Sequence, residues 1–432
     1  MLKNILKNSA WMAGDQILRL VSALFIGVLI ARHLGPADFG ALNFAISFCS
    51  IFGIFAALGL NRALVRDLAN AGAAGSPEAD RAMMRIVTSV LVLRLMTSVL
   101  IAALASAVSL VFGQGELHLV AILSATIVFS SFDVVDLFFQ SQMRSRVTVL
   151  ARSLAFFLFL GVKIALLALA APVEAFAVAT TAEAGCGAAF LWLAFRRGGW
   201  RPGRDSLDLG HALGMVRQSW PEIVAGGANV IFIRIDQVMI GNMIGPEAVG
   251  IYSVASRLAE AWYFVPTALV SSSFPAIVRL RETDRAAYLA ALQKLLSALV
   301  ILSYGVALTV TLFGPRVVEM LYGPAYAGSG HILTLLVWSG VFISMGIASG
   351  SYIMAERRPM LNMNRNICGA VANVALNLVL IPRYGATGAA VGTLLAQAVA
   401  FLLSDLFSAP MRPVGRMKLR ALLLMGWGKG WR

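Results

Sequence analysis

The sequence predicts an all-α membrane protein with twelve transmembrane helices in two six-helix lobes related as a parallel repeat. Three observations carry that prediction. Apolar side chains make up 59% of the 432 residues and charged ones 13%, with a mean hydropathy of +0.81, which leaves too little polar surface to coat a soluble protein. Windows of the roughly 20 apolar residues that cross a bilayer recur along the whole chain. A Gly-Pro turn between two of these windows returns half a chain later.

In order, the apolar windows fall at 11–31, 39–61, 86–112, 117–140, 149–170 and 173–195, then at 218–241, 248–275, 293–313, 330–354, 362–382 and 387–408. The first six define an amino-terminal lobe, residues 1–195, and the second six a carboxy-terminal lobe, residues 218–408. Between them, 196–217 (RRGGWRPGRDSLDLGHALGMVR) is rich in Gly, Pro and Arg and reads as a cytoplasmic linker. Residues 409–432 form a basic cytoplasmic tail, in which GRMKLRALLLMGWGKGWR predicts a short amphipathic segment on the inner membrane surface. Docking to a polymerase or glycosyltransferase is the alternative role for that tail.

The formal charge of +14 is a matter of location. Arg62, Arg66, Arg81 and Arg85, then Arg144 and Arg146, Arg196, Arg197 and Arg201, Arg279 and Arg281, and Arg357 and Arg358 all follow even-numbered spans. The opposite loops carry only Arg32, Arg316 and Arg383. Because Lys and Arg accumulate in cytoplasmic loops, both termini are expected to be cytoplasmic, and the basic balance does not imply nucleic acid. Asp15 and Arg19 interrupt what would have to be the uncharged core of a cleavable signal peptide, so the first helix is expected to remain. Cys49, Cys186 and Cys368 lie within spans, with no CxxC and no nearby His, and read as packing residues; no metal site is predicted.

The repeat is visible when LIARHLGPADFGALNFAIS (29–47) is laid over MIGNMIGPEAVGIYSVASR (239–257) at an offset of 210. Gly35, Pro36 and Gly40 then face Gly245, Pro246 and Gly250. Six spans per half is an even number, so the two copies enter the membrane in the same direction.

Polar side chains inside the spans point to function. Residues three, four or seven apart share a helix face. Asn43, Ser47 and Ser50 keep that spacing in the second span, and Ser253, Arg257 and Glu260 keep it in the eighth, again at the offset of 210. Asp15 and Arg19 share a face of the first span. Arg234 stands two residues from Asp236, on a different face, so the two are not a simple intrahelical pair. Asn373 and Asn377 line one side of the eleventh span, with Arg94, Lys163 and Glu183 in the third, fifth and sixth.

A charge at the centre of a membrane helix costs roughly 2.5 to 3.5 kcal/mol on insertion scales, so such residues need a hydrated cavity or a buried partner. For Arg19, Arg94, Lys163, Arg234, Arg257 and Glu260, cavity lining is expected. For Asp133, Asp136, Arg144, Arg152, Arg365 and Asp405, which lie near the cytoplasmic ends of their spans, the expectation is snorkelling or interfacial pairing. Guanidinium stays protonated and grips phosphate oxygens through a planar fork, so arginines at several depths suit an anionic head group. Asn43, Ser47, Asn373 and Asn377 are grouped with Arg19, Arg94, Lys163, Arg234 and Arg257 as candidate cargo-binding residues. Asp15, Glu183, Asp236 and Glu260 either restrain the cations or carry H+ or Na+ for coupling.

Four stretches, LIARHLGPADFGALNFAISF, ALGLNRALVRDLAN, FIRIDQVMIGNMIGPEAVGIYSVASRL and SSSFPAIVRL, resemble in their order the polysaccharide flippases, the Wzx-type O-antigen and exopolysaccharide transporters of the multidrug/oligosaccharidyl-lipid/polysaccharide exporter superfamily. That resemblance implies two lobes around a central cavity and alternating access in the bacterial cytoplasmic membrane. The cargo it implies is an undecaprenyl-diphosphate-linked oligosaccharide, moved from the cytoplasmic to the periplasmic leaflet without any catalytic residue or cofactor. The drug-exporting branch is the first alternative, and a membrane polymerase or ligase acting on the same lipid-linked sugar is the second.

Overall fold

The computed structural model describes residues 2–72, 76–112, 117–201, 203, 207–356 and 358–425, with side chains described from residue 18 onward except at 112. All regular elements among the described residues are helical. Ten helical stretches among them are long and apolar enough to cross a membrane. This is a multi-pass membrane protein.

Two of the ten stretches are double. Helix α1 (Leu2–Ala56) has non-helical backbone at Gly35, φ 72° and ψ 174°, followed by Pro36. Helix α13 (Pro359–Ala398) has it at Gly385, φ 62° and ψ −145°. A positive φ is accessible to glycine at little cost and ends a helix, while a proline at the first position restarts one. In α13 the chain reverses, because a Cβ at Gly392 would touch Leu376 and the Asn377 amide, about 15 residues back and roughly 22 Å away in a straight helix. In α1, Arg19 and Ala23 line the same cavity as Ile46 and Ser50, which again requires a hairpin. Split at these glycines, the ten stretches give twelve segments of crossing length. The Gly245–Pro246 turn, at φ 129° and ψ 173°, resembles that at Gly35. Gly323 before Pro324 has φ 91° and ψ 172° as well, so this conformation is a general turn device and not by itself a mark of duplication.

The chain divides into two compact units, Met1–Val230 and Ile231–Arg432, and the division falls inside α8 (Leu209–Met243). The first unit holds α1, α2 (Asn61–Gly72), α3 (Pro77–Phe112), α4 (Leu117–Phe129), a 3₁₀ turn at Ser130–Phe132, α5 (Asp133–Ser141), α6 (Ser145–Ala168) and α7 (Val173–Arg197). Leu60, Leu64 and Leu68 recur every fourth residue and pack with Met83 and Val87 of α3 and with Val134 and Phe138 of α5. That spacing makes α2 an amphipathic helix, where the span pattern alone leaves a connection.

The second unit holds the remainder of α8, α9 (Pro246–Ala261), α10 (Phe264–Thr283), α11 (Arg285–Tyr322), α12 (Ala327–Ala355), α13, a π-helical turn at Val399–Leu403, α14 (Ser404–Phe407) and α15 (Arg412–Leu422). The eighth predicted span is broken at Trp262 and Tyr263. The Trp262 ring is received by Gly340, where a Cβ would come within 2.6 Å of it, the small-residue contact that lets membrane helices approach. Asp284 caps α11 by accepting from the backbone N–H groups of Ala286 and Ala287 at 2.9 and 3.0 Å.

Helix α15 lies in the predicted tail and is amphipathic, with Val414, Gly415, Lys418 and Ala421 buried and Arg412, Arg416 and Arg420 exposed. Lys418 donates from Nζ to Asp405 Oδ2 and to the Phe401 carbonyl, both at 2.6 Å. That carbonyl belongs to the π-helical turn, where the regular i→i−4 ladder is interrupted. Arg365 Nε lies 3.5 Å from Asp405 Oδ1, and its guanidinium sits over the Phe401 ring at 4.9 Å. Snorkelling is therefore corrected for Arg365 and Asp405, which are 2% and 0% exposed. The lysine from α15 closes over them and removes the path to water.

Candidate functional site

The first unit encloses a cavity of about 800 Å³. Arg19 of α1, Arg94 of α3, Asp133 of α5, Arg152 and Lys163 of α6 and Glu183 of α7 all line it. Measured from the helix ends on the side of the Gly35 turn, Arg19, Arg94, Asp133 and Arg152 lie about 16 to 18 residues down, or roughly 24 to 27 Å. Lys163 and Glu183 lie only about 5 to 10 residues down. The charges thus form two levels, with three arginines on the deeper one.

Each cation is held differently. Arg94 is 2% exposed and donates from Nη2 to Asn61 Oδ1 at 2.7 Å. Arg152 Nη2 meets two carboxylates, Asp133 Oδ1 at 2.9 Å and Asp136 Oδ2 at 2.8 Å. Asp136 also accepts from Gln140 Nε2 at 3.0 Å. Lys163 Nζ donates to Glu183 Oε2 at 2.7 Å. Around them, the hydroxyls of Thr126, Ser130 and Thr180 donate to carbonyls of their own helices. A hydroxyl whose proton is committed in this way still offers lone pairs, so the wall presents acceptors to a polyhydroxylated guest.

Asp133, Asp136 and Arg152 pair with one another, as expected, but Asp133 and Arg152 also line the cavity, which the sequence does not anticipate. The reason is local. Arg152 stands two turns inside a helix that begins at Ser145, and Asp133 follows the 3₁₀ turn that re-aims α5. Asn43 and Ser47 are corrected in the other sense. They are 3% and 1% exposed and do not line the cavity, to which the second arm of α1 presents Ile46, Cys49, Ser50 and Gly53; the Asn43 amide donates to the Phe39 carbonyl at 2.6 Å. The side chain of Asp15 lies outside the described residues.

In the second unit, Asp236 is 3% exposed and accepts from Tyr252 Oη at 2.7 Å, Asn377 Nδ2 at 2.6 Å and Thr393 Oγ1 at 2.6 Å. Asn377 Nδ2 also donates to Asn373 Oδ1 at 3.2 Å. Among the described residues no cation lies within ion-pair distance of this carboxylate, so Asp236 is not half of an ion pair. Asn373 and Asn377 are fully buried beside it and form its cradle, where the sequence groups them with the cargo-binding residues. Asn377 Oδ1 is buried with no hydrogen-bond partner. Arg257 and Arg234 are half-buried and within electrostatic reach of each other, as are Arg257 and Glu260; Glu260 accepts from Ser256 Oγ at 2.9 Å. Tyr252, Thr393, Asn61 and the cavity hydroxyls of Thr126, Ser130 and Thr180 escape the sequence reading because a lone hydroxyl or amide in a span has no pattern to mark it.

Fold and site together define a multi-pass helical membrane protein that keeps a charged cavity inside one bundle and a neutral-capped carboxylate inside the other. The chain belongs to the family described as "Polysaccharide biosynthesis protein", which matches residues 29–331. It is 29% identical over 182 residues to the probable flippase AglR of Haloferax volcanii, covering 39% of this chain and 36% of that protein. It is 24% identical over 185 residues to the amylovoran biosynthesis protein AmsL of Erwinia amylovora, covering 42% and 46%. The match thus spans less than half the length of these curated relatives. Among solved structures, the lipid II flippase MurJ in an inward closed conformation superposes with a TM-score of 0.70 at 14% identity, covering 96% of this chain and 91% of that one. An inward-facing MATE-family multidrug transporter gives 0.66 at 16%, covering 94% and 96%. At such identities the likeness is one of fold.

Proposed function

We propose that the protein is a flippase for a lipid-linked oligosaccharide, carried on undecaprenyl diphosphate from the cytoplasmic to the periplasmic leaflet of the bacterial inner membrane. Both termini are cytoplasmic in this reading. The observation that carries it is the level of three arginines, Arg19, Arg94 and Arg152, inside a cavity that also presents the hydroxyls of Ser50, Thr126, Ser130 and Thr180. Guanidinium forks recognise the diphosphate, and the few hydroxyls set among apolar side chains meet the sugar. Movement is by alternating access of two six-helix lobes related as a parallel repeat, with Arg234 and Arg257 as the cargo-binding cations of the second lobe. No bond is made or broken, and the polyprenyl tail stays in lipid.

Asp236 is the coupling group in this scheme. A single carboxylate surrounded by hydroxyl and amide oxygens matches one monovalent charge, H+ or Na+, and the orphaned Asn377 Oδ1 supplies a further oxygen. The runner-up reading is a cation-coupled drug exporter, favoured by the MATE-like fold and by a carboxylate free of a basic partner. Reconstitution in liposomes separates the two. The expected result is translocation of a lipid-linked oligosaccharide by the wild type, lowered at least tenfold by Arg94→Ala with insertion intact, and no export of a cationic dye. Dye export without sugar translocation would overturn the proposal.

A further inference from the structure

Arg152 holds two carboxylates on one nitrogen, and they are not equivalent. Asp136 has a side chain only 10% exposed and is fixed by Gln140. Asp133 has a side chain 49% exposed, lines the cavity and has Arg152 as its hydrogen-bond partner. One carboxylate anchors the arginine to the protein. The other stands where a guest arrives.

We propose that Asp133 is a displaceable counter-ion: it occupies on Arg152 the place that a phosphate of the cargo takes during loading, and it reclaims that place at release. This rests on the flippase reading above. The exchange is like for like, since carboxylate and phosphate oxygens bind the same N–H edge of a guanidinium, and Arg152 is never left uncompensated because Asp136 stays in place. Asp133 has a second cation nearby while displaced, since Arg94 lies within its electrostatic reach.

Geometry supplies the need for such a competitor. Lys163 lies about 11 residues along α6 from Arg152, roughly 16 Å of helix, farther than one diphosphate spans. Lys163 is moreover already paired with Glu183 at 2.7 Å, so the upper level is a weak competitor for cargo held on the lower one. Three arginines without an internal rival would hold a dianion tightly and release it slowly. Balanced against Asp133 and Asp136 they carry one net positive charge, enough to attract a diphosphate and low enough to let it leave.

The test uses full-length protein in detergent, with geranylgeranyl diphosphate as binding probe and geranylgeranyl monophosphate as comparison, together with the liposome assay. Asp133→Asn is expected to bind the diphosphate about tenfold more tightly than wild type and to translocate oligosaccharide severalfold more slowly. Asp133→Ser repeats both measurements should the amide disturb folding. Arg152→Ala is expected to weaken diphosphate binding. Unchanged or weaker binding in both Asp133 variants, with wild-type binding still dependent on Arg152, overturns the counter-ion role and leaves the flippase reading intact. Absence of saturable diphosphate binding by the wild type removes the flippase reading and this inference with it.

Discussion

Lys163 and Asp236 are charges on apolar helices, satisfied by opposite means. Lys163 has a carboxylate at 2.7 Å, so its burial is compensated by charge, at the usual risk that removing one partner strands the other at a cost of about 3 to 5 kcal/mol. Asp236 has three neutral donors instead, which satisfy hydrogen bonds without cancelling its charge. Only the second arrangement leaves the charge available to a mobile cation. Asp236→Asn keeps the size of the side chain and removes the charge. The expectation is that this variant retains diphosphate binding in the first unit but loses the response of transport to an imposed H+ or Na+ gradient. Wild-type gradient dependence in the variant would remove Asp236 from the coupling step, and the pH and Na+ arms of the same liposome experiment identify which cation it serves.

At the scale of elements, the hairpins of α1 and α13 differ in how tightly they close. A Cβ at Gly35 would meet nothing within 4 Å, so Gly35→Ala is penalised only through its backbone, whose φ 72° and ψ 174° lie in a region essentially reserved for glycine, by about 1 to 3 kcal/mol. A Cβ at Gly388 would collide with the Leu380 carbonyl across the α13 turn, a contact made of backbone that cannot rotate away. Gly388→Ala is therefore expected to lower the thermal midpoint in detergent clearly more than Gly35→Ala. Equal shifts would mean that the α13 hairpin is looser than its contacts indicate. These elements also show what the sequence makes legible. Hydropathy is summed over roughly 20 residues, so the spans and the gaps at which α1 and α13 reverse can be read from it. A polar stripe states only which residues share a face: Asn43, Ser47 and Ser50 share one, yet Ser50 alone of the three reaches the cavity, because helix rotation is set by neighbours distant in sequence. The same limit hides the Asp236 cradle, whose members come from α8, α9 and both arms of α13.

For the whole molecule, most of the excess positive charge lies at the ends of the helices, and one buried cation links the tail to the bundle. Lys418 is completely buried, and burial, reinforced by repulsion from Arg365, pushes its ammonium down to about 7 against the attraction of Asp405. With Lys418 protonated, two cations share one carboxylate; with it neutral, Arg365 and Asp405 balance. The other groups from α11 that bind α15, Gln293 at the Met417 carbonyl and Tyr304 at the Leu422 carbonyl, carry no charge that would offset this. In the unfolded chain lysine titrates near 10.4, so between about pH 7 and 10.4 unfolding takes up a proton that the folded state lacks. Raising the pH through that window disfavours unfolding, by up to about 1.4 kcal/mol per pH unit from this group, and below about pH 7 the penalty is constant. Other groups titrate too, so the contribution is isolated by difference. The thermal midpoint of the wild type is expected to rise between pH 6.5 and 9 relative to that of Lys418→Met, which keeps the length of the side chain and removes the titration. Parallel curves would show that Lys418 keeps an ordinary ammonium in the folded protein, and that the tail helix is held by its apolar face alone.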